Sequence, residues 1–113
     1  MKGTLSGLRA WVWQRASALA VLLFVLYVVL RLLVAPPDSY AAWHAWLGHP
    51  AMRIGLLFFI CAVAMHAWVG MRDVILDYVK PLPLRLGALG LLLLGLLLTV
   101  AWTAVVVVSL GAA

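Results

Sequence analysis

Residues 86–113 contain no charged side chain. A helix crosses the hydrocarbon core of a bilayer with about 20 mostly apolar residues, so this run alone is long enough to span. Residues 16–35 and 54–71 are two further apolar runs, broken by a single formal charge, Arg31. Three spans use most of the 113 residues, leaving one small domain, 1–113, with no room for a soluble catalytic module. Composition agrees: 68% of residues are hydrophobic and 10% charged, with a mean hydropathy of +1.20, where soluble domains are roughly half apolar. The expected fold class is an all-α integral membrane protein with three transmembrane helices.

The first run begins after basic residues, as a secretion signal would. A signal core has about 7 to 15 apolar residues, fewer than lie in 16–35, and Ser39-Tyr40-Ala41 matches a cleavage site weakly. A retained helix over about 13–35 is therefore expected, stopped by Pro36-Pro37, which remove backbone donors and disfavour helix in the residue before them. Arg31 lies about a turn from the end, where a long side chain can reach the interface. The loop PPDSYAAWHAWLGHP carries Tyr40, Trp43 and Trp46, aromatics that prefer the headgroup region, and a short interfacial helix is expected within it. The second helix is expected over 51–78, ending before Lys80-Pro81-Leu82-Pro83, and the third over 84–110. Gly87, Gly95, Thr99 and Thr103, at multiples of four, resemble a face for packing another helix.

Eight Lys and Arg against three Asp give a net charge of +5. These charges stand singly at the ends of apolar runs, which reads as a topology signal and not as a nucleic-acid footprint. Lys2, Arg9, Arg15, Arg72, Lys80 and Arg85 fall on one side; Arg31 and Arg53 fall on the other. The positive-inside rule then places the N-terminus and the 72–85 loop in the cytoplasm and the C-terminus in the periplasm. Cys61 is the single cysteine; it has no intrachain disulfide partner and reads as a small buried thiol.

His66 stands well inside the second span, and an ionisable side chain there marks a functional site or a polar contact with a neighbour. It lies roughly 9 Å along the axis from Arg72. Ala62 and Gly70, four residues either way, share its face and leave a shallow depression beside the imidazole. Small residues let two helices approach closely, with the histidine bonding across; they also give clearance to a haem bound through an axial imidazole. Both readings stand at this level. His44 and His49 lie in the polar outer loop and read as solvated.

On an unbroken helix, Asp77 returns to within about 20° of the face of His66, roughly 16 Å along the axis. Asp77 and Tyr78 would stand at the mouth of the same depression. A phenol can donate a hydrogen bond to a quinone carbonyl, and a carboxylate can relay a proton. Equally, Tyr78 is a normal interfacial anchor, and Asp73 with Asp77, near Arg72 and Lys80, forms a plain charged turn.

The run HAWVGMRDVILDYVKPLPLRL, residues 66–86, resembles the hydrophobic membrane-anchor subunit of bacterial succinate dehydrogenase, the succinate:quinone oxidoreductase also called complex II. His66, Ala67, Trp68, Gly70 and Met71 match the first part of the family pattern; Asp77, Tyr78, Val79, Lys80 and Pro81 match the second. Arg15, in the segment QRASA, matches a shorter feature. Arg72-Asp73 departs from the pattern, which is less charged there.

The resemblance implies an assembly of four subunits in the bacterial inner (cytoplasmic) membrane. A flavoprotein subunit oxidises succinate to fumarate, and an iron-sulfur subunit passes electrons to ubiquinone. A second anchor, the cytochrome b subunit, and this chain would form one larger helical bundle. His66 would be one axial ligand of haem b and its iron, with the cytochrome b subunit supplying the other, and Arg15 would approach a haem propionate. Tyr78 would hydrogen-bond a quinone carbonyl with Asp77 beside it. Flavin and iron-sulfur clusters would remain in the partners, and this chain alone would catalyse nothing. The implied function is electron transfer from succinate to quinone, in the tricarboxylic acid cycle and the respiratory chain. The alternatives are a purely structural anchor for soluble redox subunits and the anchor of a fumarate reductase. A transporter is disfavoured, because no Asp or Glu lies within a span.

Overall fold

A computed structural model describes residues 2–112, with side chains over 7–112, so the side chain of Lys2 lies outside the described residues. The described chain is helical, in four elements: α1 (Lys2–Val34), α2 (Tyr40–Gly48), α3 (Pro50–Tyr78) and α4 (Leu82–Ala112). Over 7–112, three helices are long and apolar enough to cross a membrane, as the apolar runs require: Gly7–Val34, Pro50–Tyr78 and Leu82–Ala112. The molecule extends 52 Å along its long axis, against a hydrocarbon thickness of about 30 Å. The helix ends therefore reach beyond the apolar layer.

Each boundary has a local cause. Pro36-Pro37 follow the end of α1. Ser39 caps α2, its hydroxyl accepting from the amide of Ala42 at 3.1 Å, so one orphan donor of the first turn is satisfied. His49 ends α2 and opens α3: its Nδ1 accepts from the amide of Ala51 at 3.2 Å, and Pro50 stands in the first turn, where a missing N–H costs nothing. The amide of Val79 closes α3 on the carbonyl of Ile75 at 2.9 Å. Arg85 then reaches back, donating from Nε to the carbonyl of Val79 at 3.0 Å and from Nη2 to that of Leu76 at 3.3 Å.

The start of α1 differs from the expected residue 13. No proline interrupts 2–12, so hydrogen bonding carries the helix past the point where the apolar run ends. A change in hydropathy marks a membrane boundary, not a helix end.

α3 is the central element. α1 and α4 each pack along it, with no close backbone approach between α1 and α4 among the described residues, while α2 lies against α3 and α4. Phe24 of α1 stacks on Phe59 of α3, with ring centroids 4.6 Å apart and planes 23° off parallel. Gly55, one turn before Phe59, admits this stack: a Cβ there would lie 3.2 Å from Phe24 Cε2. Arg31 donates to the carbonyl of Ala35 and lies 5.3 Å from the centroid of the Trp46 ring, which holds the interior charge at the end of its span under α2.

Little of the chain is covered by itself. Met52, Val69 and Val107 are buried, with Ser17, while large apolar side chains on all three long helices are open. In water that surface would drive aggregation; in a bilayer it meets lipid or neighbouring helices. One expectation changes here. Cys61 is exposed rather than buried within this chain, on the open groove between α1 and α3. The small-residue face of α4 stays open: nothing within 4 Å would meet a Cβ on Gly87 or Gly95, and Thr99 and Thr103 donate to carbonyls of their own helix, at 2.8 Å each.

Candidate functional site

The imidazole of His66 is held from α1. Its Nδ1 lies 3.2 Å from Oγ of Ser17, and Ser17 is 6% exposed, the sole buried polar residue of the described chain. The same hydroxyl donates to the carbonyl of Gln14, three residues back on its own helix, at 3.1 Å. Ala16 and Ala20, with Ser17, line the groove between α1 and α3 here. A polar pair thus bridges two otherwise apolar helices.

Ala62 and Gly70, the small neighbours of His66, open on different cavities of the α1–α3 seam. Ala62 lines an apolar groove of about 230 Å³, together with Ser17, Ala20, Phe58 and Met65. Gly70 lines a larger cavity of about 710 Å³, with Gln14, Arg15, Trp11, Arg72 and Asp73. A Cβ on Gly70 would lie 3.4 Å from Nε2 of Gln14, whose Oε1 is buried without a partner among the described residues. Arg15 is exposed at this larger opening, its guanidinium carbon 5.5 Å from the Trp11 ring centroid. The larger cavity therefore joins two guanidinium groups, an amide and the Asp73 carboxylate, which pairs with Arg72; the Arg15 guanidinium is the group there that suits an anionic one, while the groove suits an apolar one.

Asp77 and Tyr78 lie beyond both cavities, at the end of α3. Tyr78 is 81% exposed and Asp77 is also open. α3 runs unbroken from His66 through Tyr78, so their angular relation to His66 follows helix geometry, but no described side chain closes over them. Asp73, one turn nearer His66, lines the larger cavity and pairs with Arg72 at 3.2 Å on the surface; such exposed pairs add about 0–1 kcal/mol. Sequence reasoning missed Ser17, Gln14 and Asp73 as neighbours of this site. At the other end, His44 and His49 line an open hollow with Tyr40, Gly48 and Leu110, far along α3 from His66.

Among the described residues no group of three or more His, Cys, Asp or Glu is placed to hold a bare metal ion. A haem asks less of the chain, because the macrocycle supplies four ligands and the protein supplies the axial positions.

Two comparisons bear on this arrangement. The family model described as "Succinate dehydrogenase/Fumarate reductase transmembrane subunit" matches residues 4–85. The "Succinate dehydrogenase hydrophobic membrane anchor subunit" of Coxiella burnetii (strain RSA 493 / Nine Mile phase I) is 42% identical over 80 residues, which is 71% of this chain and 70% of that protein. The segment matched by the family model runs through α1, α2 and α3 and includes Arg15, His66, Asp77 and Tyr78. The chain belongs to the succinate dehydrogenase/fumarate reductase transmembrane subunit family.

Proposed function

We propose that this chain is the hydrophobic membrane anchor of a bacterial succinate dehydrogenase, and that it contributes one axial ligand of haem b and part of the ubiquinone site. The observation that carries this reading is His66 itself: an imidazole in an apolar helix, bonded to a buried serine, one turn from Gly70 on a cavity that Arg15 and the Arg72–Asp73 pair also line. These residues fit a haem. His66 would hold the iron, the small residues of the seam would clear the macrocycle, and Arg15 with Gln14 would meet a propionate. When bound, haem b supplies a centre that takes up and releases single electrons.

The remaining roles belong to the chain's own groups. Tyr78 would donate its phenolic proton to a hydrogen bond with a quinone carbonyl, favouring the added charge as that carbonyl is reduced. Asp77, open to water, can pass protons toward the reduced oxygen. Their exposure fits a pocket whose other walls come from the cytochrome b anchor and the iron-sulfur protein. The flavoprotein would sit beyond these, in the cytoplasm. Gly7, Arg15, Arg72 and Asp73 meet at one end of the bundle, and Tyr40, His49 and Leu110 at the other. The basic majority at the first end supports a cytoplasmic N-terminus and a periplasmic C-terminus, in the inner membrane.

A second reading rests on the same bond: Ser17 already gives His66 a partner, as a packing histidine in a structural anchor would need. The test is a reduced-minus-oxidised optical spectrum of membranes containing the whole complex, native and His66→Ala, normalised to assembled protein. Loss or strong perturbation of a b-type band in the variant supports ligation. A native complex that reduces quinone and shows no haem band leaves His66 as a packing residue. Quinone-dependent turnover in each direction separates a succinate dehydrogenase from a fumarate reductase.

A further inference from the structure

Ser17 has one hydroxyl proton and two neighbours, the Gln14 carbonyl at 3.1 Å and Nδ1 of His66 at 3.2 Å. The carbonyl can only accept. The hydroxyl proton therefore goes to Gln14, and both contacts are hydrogen bonds only if Nδ1 carries the imidazole proton and donates it to the serine oxygen. In a neutral imidazole the other nitrogen, Nε2, is then left with its lone pair free. Resting on the haem reading above, we infer that Ser17 is a positioning residue for His66, fixing the tautomer in which Nε2 is the ligating atom and restraining the ring about its χ angles.

The physics is that of the outer partners of metal-bound histidines, which set ring orientation and raise ligand basicity. Ser17 is 6% exposed, so water does not compete for the bond. The Nδ1–H donated to an oxygen leaves more electron density on Nε2, which favours ferric over ferrous iron. Removing the acceptor shifts the haem midpoint potential upward, and weakens haem retention by roughly 10-fold, the low end for such partners. On this inference Ser17 acts through its bond to His66, whereas a purely structural role would change the yield of complex and leave the potential of the assembled fraction alone.

The experiment is an optical redox titration of the purified complex of all four subunits with native Ser17, Ser17→Thr, Ser17→Ala and Ser17→Cys, with haem counted per assembled complex. Thr keeps the oxygen; Cys has nearly the volume of Ser but offers only a weak acceptor sulfur. Native potential in the Thr variant, with a positive shift in Ala and Cys, is the expected result. Assembled Ala or Cys complexes with native potential and native haem content would overturn the inference, and Cys decides where Ala does not assemble. His66→Ala serves as the separate control. A b-type spectrum unaffected by it removes the ligand reading and this inference together, whereas ligation by His66 with an indifferent Ser17 removes this inference alone.

Discussion

Arg85, in the first turn of α4, donates from Nε to the carbonyl of Val79, the residue that closes α3, at 3.0 Å. The second bond, from Nη2 to the carbonyl of Leu76 at 3.3 Å, engages the last turn of the same helix. The last carbonyls of a helix have no intrahelical donors, and here one guanidinium serves two of them across the proline break. Tyr78 lies between the two carbonyls in sequence, so the position of the proposed quinone contact is set by a residue of the next helix. The sequence marks Arg85 as a topology charge, and it is also a cap.

Arg85→Lys should not substitute for it. An ammonium is a compact point donor, whereas the planar fork of Arg reaches two acceptors at once. We expect Arg85→Lys and Arg85→Ala to loosen the 76–80 turn by about 1 kcal/mol, seen as faster amide hydrogen exchange there, with the haem spectrum unchanged. Native exchange in the Lys variant would mean that charge alone suffices.

Phe24 and Phe59 carry the α1–α3 contact deeper in the span, stacked at 4.6 Å over Gly55. Such a pair adds about 0.5–1.5 kcal/mol beyond its buried area. A double-mutant cycle of Phe24→Leu and Phe59→Leu, read by thermal unfolding of the detergent-solubilised complex, should give a coupling of about 1 kcal/mol. Additive losses would show that the rings merely fill volume.

The three spans and the short α2 are legible because lipid demands long apolar runs and proline cannot continue a helix. The first residues of α1 are not: Gly3 and Gly7 weaken helix there, while no proline stops it. His66 stands out as an ionisable group in a span, and Arg15 does so through a short motif. Ser17 does not. A hydroxyl in a membrane helix commonly bonds a carbonyl one turn back, as Ser17, Thr99 and Thr103 all do. Only the packing of α1 on α3 distinguishes the serine that also reaches a histidine. Tyr78 and Asp77 illustrate the opposite limit: their residue types suggest chemistry, while the chain leaves them open, because the walls of such a pocket would come from other subunits.

That openness leads to a separable effect for Tyr78→Phe. The side chain is 81% exposed and makes no hydrogen bond among the described residues, so assembly and haem content should stay native. Losing a hydrogen bond of about 0.5–1.5 kcal/mol at the quinone carbonyl should lower quinone reduction by roughly 2- to 10-fold. Succinate oxidation with an artificial acceptor that bypasses quinone should be unaffected. Unchanged quinone turnover would return Tyr78 to the role of interfacial anchor.

Gly70 offers a steric test of the seam beside His66. Its missing Cβ would lie 3.4 Å from Nε2 of Gln14, an ordinary contact, so Gly70→Ala should be tolerated and gains about 0.8–1.0 kcal/mol of helix propensity. A longer side chain has nowhere to go but into Gln14 or the cavity that the two residues share with Arg15. Gly70→Leu should therefore displace Gln14 or occupy that cavity and reduce haem per assembled complex, while Gly70→Ala keeps the native ratio. Equal haem content in Ala and Leu variants would show that the cavity beside Gly70 stays clear of the macrocycle and its propionates, and would confine the haem to the groove on the Ala62 side of His66.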